Sequence, residues 1–314
     1  MSIPNPWLSG TTQVQSTTAP VYYNSALTVE GAGPTTNAKL TIYLRVLMLE
    51  ANLNLAEKRQ VPDPANPGKT TTVLFIKVPA PGDKSKTIDV PVMEWPKGVF
   101  KTYCEAVKKQ AEDFWNNTKL CLIPPKDLRC LYWPAKSPTH QLNIDCHFEA
   151  VWANGFADAH VVFWNTCPMV YDPLLLRSSV GPSPVKGQSA GMLDVADLIP
   201  VPVLSTTVGA AGPAVQVAAQ STIAHEFGHA LGLPHIGVQS RFQPCLQAMA
   251  TDEGIGAQQC YMGPTVEESL NIMGLGDRVS TRNSLPWLLR APRHTDSSLA
   301  DWRVTLPQRP PRRL

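Results

Sequence analysis

Residues 225–235 read HEFGHALGLPH, and this run constrains the fold more than any other stretch of the chain. His225 and His229 stand four apart, so on a helix both project from one face, a turn from each other. Two neutral imidazoles at that spacing can hold a Zn²⁺ ion, each nitrogen about 2.0–2.1 Å from it. Glu226, beside the first of them, can take a proton from a water that the metal activates. Gly232 lets the chain leave the helix through a conformation that a side chain resists. His235 can then return as a third ligand, which leaves one position of a tetrahedral ion open to a reactant. The chain must therefore place a helix, break it at Gly232 and fold back within a few residues.

Ala224, Phe227, Ala230 and Leu231 surround the histidines with apolar side chains, which suits a buried helix better than a solvated one. The full pattern, HExxHxxGxxH, resembles the zinc signature of the metzincin metallopeptidases. That family also carries a methionine in a tight turn below the metal, and Asn271-Ile272-Met273-Gly274 matches it downstream of His235. By motif the resemblance covers residues 225 to about 290; before that it rests on the order of the predicted elements. It implies an α+β fold, a metzincin-like catalytic domain with a twisted mixed β-sheet, an active-site helix and a smaller C-terminal subdomain. It also implies one catalytic Zn²⁺ on His225, His229 and His235, with Glu226 as general base. Met273 and Gly232 would support the site, neither of them as a ligand.

Two departures narrow what the resemblance carries. Several metzincin groups have Ser, Asp, Glu or Pro just after the third histidine, where this chain has Ile236. Some place a tyrosine two residues after the methionine, where it can approach the metal; this chain has Leu275 there, so a tyrosine switch is not expected. Subfamily and side-chain preference stay open. Glu267 and Glu268 are the alternative source of a third ligand, and the complete HxxGxxH favours His235 over them. His140, His147, His160 and His294 have no partner at ligand spacing and read as ordinary surface or core histidines. Asp252, Glu253 and Asp277 read as surface charges.

Composition excludes several function classes. With 314 residues the chain can bury a sizeable core, and a net charge of +2 argues against nucleic acid as the main partner. The long uncharged stretch from Leu198 to Ala224 contains Pro200, Pro202, Pro213, Gly209 and Gly212, which rules against a membrane span and for a strand, a turn and the start of the zinc helix. The N-terminal MSIPNPWLSG shows neither a basic nor an apolar signal region. Seven cysteines without CxxC spacing argue for disulfides over a zinc ribbon, with Cys121–Cys130 and Cys245–Cys260 as candidate pairs. Disulfides point to an oxidising compartment, so the expected location is outside the cytoplasm, reached without a recognisable N-terminal signal.

The organisation follows in outline. Residues 1–37, with Glu30 their only charge, read as an extended N-terminal arm. Residues 38–295 read as the catalytic domain, its upper subdomain ending near 232 and its lower one following. Strands are expected at Thr41–Leu49, Leu142–Trp152 and His160–Asn165, with a hairpin insertion over about 71–92. A helix is expected from Pro96 to about Asn116, with Phe100, Tyr103, Cys104, Val107, Ala111 and Phe114 on one face. The zinc helix is expected from near Ala214 to Gly232, and a last helix near Ser284–Leu289. Residues 296–314 read as a basic tail ending in PQRPPRRL, solvated rather than folded.

The chemistry this set of residues implies is hydrolysis of a protein or peptide substrate by a zinc endopeptidase. A zinc hydrolase of a non-protein amide, such as a cell-wall peptide and possible cargo of bacterial export, uses the same activated water. A zinc module kept only for binding is the third reading, and an intact Glu226 counts against it.

Overall fold

Alternating apolar and polar residues build the central strand. In β2 (Asn37–Glu50), Leu40, Ile42, Leu44 and Val46 are buried on one face while Lys39, Tyr43 and Arg45 lie on the other. The computed structural model describes residues 24–30, 37–63, 66–80, 83–125, 128, 143–154, 157–164, 179–182, 189–209, 212–250 and 258–306. Along one edge β2 pairs in parallel with β7 (Ile144–Trp152), whose Ile144, Cys146, Phe148 and Ala150 repeat the alternation. Its other edge takes β1 (Asn24–Glu30), antiparallel, over Asn37–Tyr43 and then β8 (Ala159–Trp164), parallel, over Val46–Glu50.

Beyond β8 lie β10 (Ser189–Asp194) and β9 (Ser179–Pro182); beyond β7 lie β6 (Cys121–Ile123) and β13 (Arg303–Thr305). Among the described residues the result is a twisted, mixed sheet of eight strands. Arg45 grips Asp158 with two guanidinium hydrogen bonds of 2.7 and 3.2 Å, and Asp158 is fully buried at the entry to β8. β3 (Glu57–Pro62), β4 (Thr70–Ala80) and β5 (Asp83–Val92) form a separate antiparallel sheet around Ile76, Val90 and Val92. The hairpin expected over 71–92 is thus present, with β3 added to it.

α1 (Val99–Asn116) covers the buried face of the main sheet with Cys104, Val107, Ala111 and Trp115. Phe114, expected on that face, is only half-buried; Trp115 takes the core position, its indole bonded to Ala224 O of the next long helix. After it the chain reaches β11 (Val201–Gly209) and β12 (Gly212–Gln220), a two-stranded ribbon. The helix that carries His225 and His229, α2 (Thr222–Ala230), therefore starts well after the expected Ala214: the residues before it pair antiparallel with β11 as a strand. Short helices follow: α3 (Ile236–Gln239), α4 (Gln243–Ala250), α5 (Val266–Ser269), α6 (Leu285–Leu288) and α7 (Ala291–Thr295).

Both ends of the described chain belong to the main sheet, contrary to the composition-based reading. Residues 24–30 of the expected arm are β1, with Ala26 and Leu27 buried and Ser25 bonded through its hydroxyl to His294 Nε2 at 2.8 Å. The expected tail contributes the buried Trp302 and then β13, antiparallel to β6. Backbone pairing and one large apolar ring outweigh a polar, basic composition there. PQRPPRRL lies outside the described residues, as do Cys130, Cys167, His140, Asp252 and Glu253. Cys245 and Cys260 form a disulfide, whereas Cys121 is a free thiol that donates to Asp145 Oδ1 at 3.0 Å. Among the described residues no helix is long and apolar enough to cross a membrane.

Candidate metal centre

α2 is set by local and tertiary bonds together. Ser221 caps it, its hydroxyl accepting from the Ala224 amide at 3.2 Å. Trp115 of α1 donates its indole N–H to the Ala224 carbonyl at 3.2 Å, and Phe227 meets Phe148 of β7 edge-on with centroids 6.0 Å apart. At the other end Gly232 has φ 88°, with Gly232 N–H donating to His229 O at 2.8 Å and Leu233 N–H to Gly228 O at 2.9 Å. This paired closure satisfies the last helical carbonyls and reverses the chain. His235 arrives opposite the helix as a result, immediately before α3.

The three imidazoles converge. His229 Nε2 lies 3.1 Å from His225 Nε2 and 3.1 Å from His235 Nε2, and one ring nitrogen of each lies within 4.8 Å of the others. His225 Nδ1 faces the Ile272 carbonyl at 2.6 Å and His229 Nδ1 the Leu233 carbonyl at 2.7 Å. A carbonyl can only accept, so each Nδ1 carries the proton and each of these Nε2 atoms offers a lone pair. Burial, reinforced by the neighbouring imidazoles, pulls His225 down to about 3 and His229 well below the usual range, so both are neutral near pH 7.

Two lone pairs 3.1 Å apart repel each other, and a cation among them converts that repulsion into bonding. Nitrogens around a tetrahedral ion with bonds of 2.0–2.1 Å sit about 3.3 Å apart, close to the 3.1 Å that separates His229 Nε2 from each of the other two. The donor set therefore fits a metal ion.

The turn at Asn271–Gly274 supports the site from below. Asn271 Oδ1 accepts from the Met273 amide at 2.9 Å and from Asn283 Nδ2 at 3.2 Å, while Asn271 Nδ2 donates to Asn283 Oδ1 at 2.8 Å. Met273 is fully buried, and its carbonyl accepts from the Ile236 amide at 2.8 Å, just past His235. Its thioether lies against Gly228 of α2: a Cβ there would collide with Met273 Sδ and stand 3.2 Å from both Met273 Cε and Trp115 Cζ2. The glycine inside the HExxH run thus has a packing reason.

Glu226 is buried next to His225 on α2. Glu267 is exposed and Glu268 reaches Arg282 at 3.6 Å; neither joins the histidines. His294 is buried far along the chain with Ser25, and His147 is half-buried in β7.

Two residues at the site were not legible in advance. Gln220, the last residue of β12, donates from Nε2 to Gly274 O at 2.6 Å and stands 3.3 Å from Ile272 O, tying the ribbon to the turn that orients His225. Tyr261 lies beside two of the histidines, with centroids 4.0 Å from His235 and 5.7 Å from His225. The one signal pointing to Tyr261 was its neighbour Cys260, a candidate for pairing with Cys245.

No protein-family model, curated protein or solved structure matches the chain. The geometry stands by itself: three histidines that can hold a metal ion, on a helix and the turn after it.

Proposed function

We propose that the chain is a zinc-dependent endopeptidase of metzincin type. The observation that carries this reading is the convergence of His225, His229 and His235 on one point with Glu226 buried beside the first of them. Three imidazole donors, with His229 Nε2 3.1 Å from each of the other two Nε2 atoms, suit Zn²⁺, and three protein ligands are the number a catalytic zinc site uses. Met273 beneath α2, in a tight turn after the third histidine, supports the same family.

Bound there, zinc supplies a Lewis acid that makes water acidic near neutral pH and polarises a carbonyl. Glu226 accepts the proton as water attacks the peptide carbonyl and passes it to the departing amine. The carbonyls of Ile272 and Leu233 hold His225 and His229 in the tautomer that presents Nε2, so neither ring must reorient during turnover. The Cys245–Cys260 bridge supports a working place in an oxidising compartment.

Glu226→Ala is the direct test. It is expected to lower cleavage of unfolded casein by roughly 10²–10⁴-fold while the protein retains zinc. Unchanged turnover removes Glu226 as the base, and activity that survives thorough chelation removes the metal. Peptidoglycan fragments offered in parallel decide the substrate class: cleavage of those fragments alone replaces the endopeptidase with a hydrolase of non-protein amides.

A further inference from the structure

We infer that Tyr261 is a positioning residue for the third histidine, His235, and that the Cys245–Cys260 disulfide is its anchor. The inference rests on the metal-binding reading above and concerns how one ligand is held.

The histidines stand on different stretches of backbone. His225 and His229 lie on a helix, which fixes their spacing. His235 lies past the helix end in extended backbone, φ −54° and ψ 153°. An imidazole there must give up its side-chain rotations to present a nitrogen to a metal. The Tyr261 ring lies alongside it, centroids 4.0 Å apart and planes inclined by 37°, and runs nearly parallel to His225 at 11° and 5.7 Å. A flat ring at that distance limits how far His235 can swing.

Tyr261 can do this only if its own backbone is fixed, and it is fixed from three directions. Its neighbour Cys260 is bonded to Cys245 of α4, and both half-cystines are fully buried. The carbonyls of Cys260 and Met262 press on Gly237 of α3, 2.8 and 2.7 Å from where a Cβ would stand. The Tyr261 carbonyl lies 2.7 Å from the same point on Gly274, in the methionine turn. The segment bearing Tyr261 is thus clamped between α3, α4 and the turn, and no part of the clamp belongs to α2.

The test measures metal affinity, not turnover. Zinc affinity of the full chain is determined by competition with a chromogenic chelator, and the visible spectrum of the cobalt-substituted protein reports ligand geometry. Tyr261→Phe keeps the ring and is expected to bind zinc within about twofold of wild type, as near-neutral changes do. Tyr261→Ala is expected to weaken binding by about 10–100-fold, the range for residues that orient a ligand, and to shift the cobalt bands. Cys245→Ala with Cys260→Ala is expected to weaken binding to a similar degree, and little further when combined with Tyr261→Ala.

Tyr261→Ala leaves the disulfide intact, so it stands as a test even where the cysteine pair unfolds, which circular dichroism detects. Wild-type affinity and an unshifted cobalt spectrum in Tyr261→Ala overturn the inference while the metal reading stands. An equal loss in Tyr261→Phe and Tyr261→Ala also overturns it, because the hydroxyl rather than the ring would then matter. A wild-type chain that binds neither zinc nor cobalt overturns the metal reading itself.

Discussion

The two halves of the candidate metal centre are held by different means. On one side, α2 sets the separation of His225 and His229 by helical geometry, and backbone carbonyls of Ile272 and Leu233 orient their rings. On the other, His235 depends on the reversal at Gly232, on the bond from Ile236 N–H to Met273 O, and on the ring of Tyr261. The helical half takes its spacing from four consecutive peptide bonds. The returning half takes its spacing from contacts between segments 25 to 40 residues apart. In a centre built this way the spacing of His225 and His229 forms with the helix, whereas the orientation of His225 by Ile272 and the placing of His235 exist only when the surrounding chain has packed.

The largest effect that tests this contrast comes from deleting ligands. His225→Ala, His229→Ala and His235→Ala are each expected to abolish hydrolysis. Each should also weaken zinc binding beyond the roughly 10–100-fold typical of an outer partner, read by chelator competition. His235→Ala should leave a two-histidine helix that still binds metal weakly, whereas removing a helical ligand should leave almost nothing; equal residual affinities would erase the distinction.

A smaller effect probes where the halves touch. Gly228→Ala drives a methyl into Met273 Sδ and is expected to destabilise the fold by about 1–3 kcal/mol in chemical denaturation, the usual cost of overpacking. Adding Met273→Ala removes the obstacle, so the double variant should be less destabilised than the sum of the two single ones. Strict additivity would mean that helix and turn do not bear on each other there.

The last effect lies outside both halves and serves as a reference for pH. Burial, with the nearby Arg290, lowers His294 from its ordinary 6.5 to about 4. The unfolded chain binds this proton below about 6.5 and the folded one only below about 4, so stability falls as pH drops through that window and levels off beneath it. The slope from this group is at most about 1.4 kcal/mol per pH unit. His294→Gln should flatten that part of the stability profile while leaving zinc affinity at pH 7 unchanged; an unaltered profile would assign the acid sensitivity elsewhere.

The helical half was legible from residue spacing because two histidines four apart on a helix can hardly point elsewhere. Gly232 and His235 were legible for the same reason, a local backbone rule applied to a short segment. The start of α2 was not. Apolar and β-branched residues before it fit a buried helix or a strand pair equally well, and pairing across 201–220 decided for strands. Tyr261 was invisible because nothing within its own neighbourhood relates it to His235; only the packing of α3, α4 and the turn brings the rings together. The polar segments that became β1 and β13 show the same limit. Composition speaks to how a segment meets water, and an edge strand is recruited by the backbone it finds.

That recruitment has a kinetic side. β13 pairs with β6, and β1 reaches α7 through Ser25 and His294, so the main sheet joins residues from opposite ends of the described chain. Contacts spanning such separations close late, after long loops have been ordered. A nascent chain that has just emitted HEFGHALGLPH still lacks the turn beneath the helix, Tyr261 and an edge strand of the sheet. The candidate metal centre would then be among the last parts of the molecule to mature, well after the motif that defines it has been synthesised.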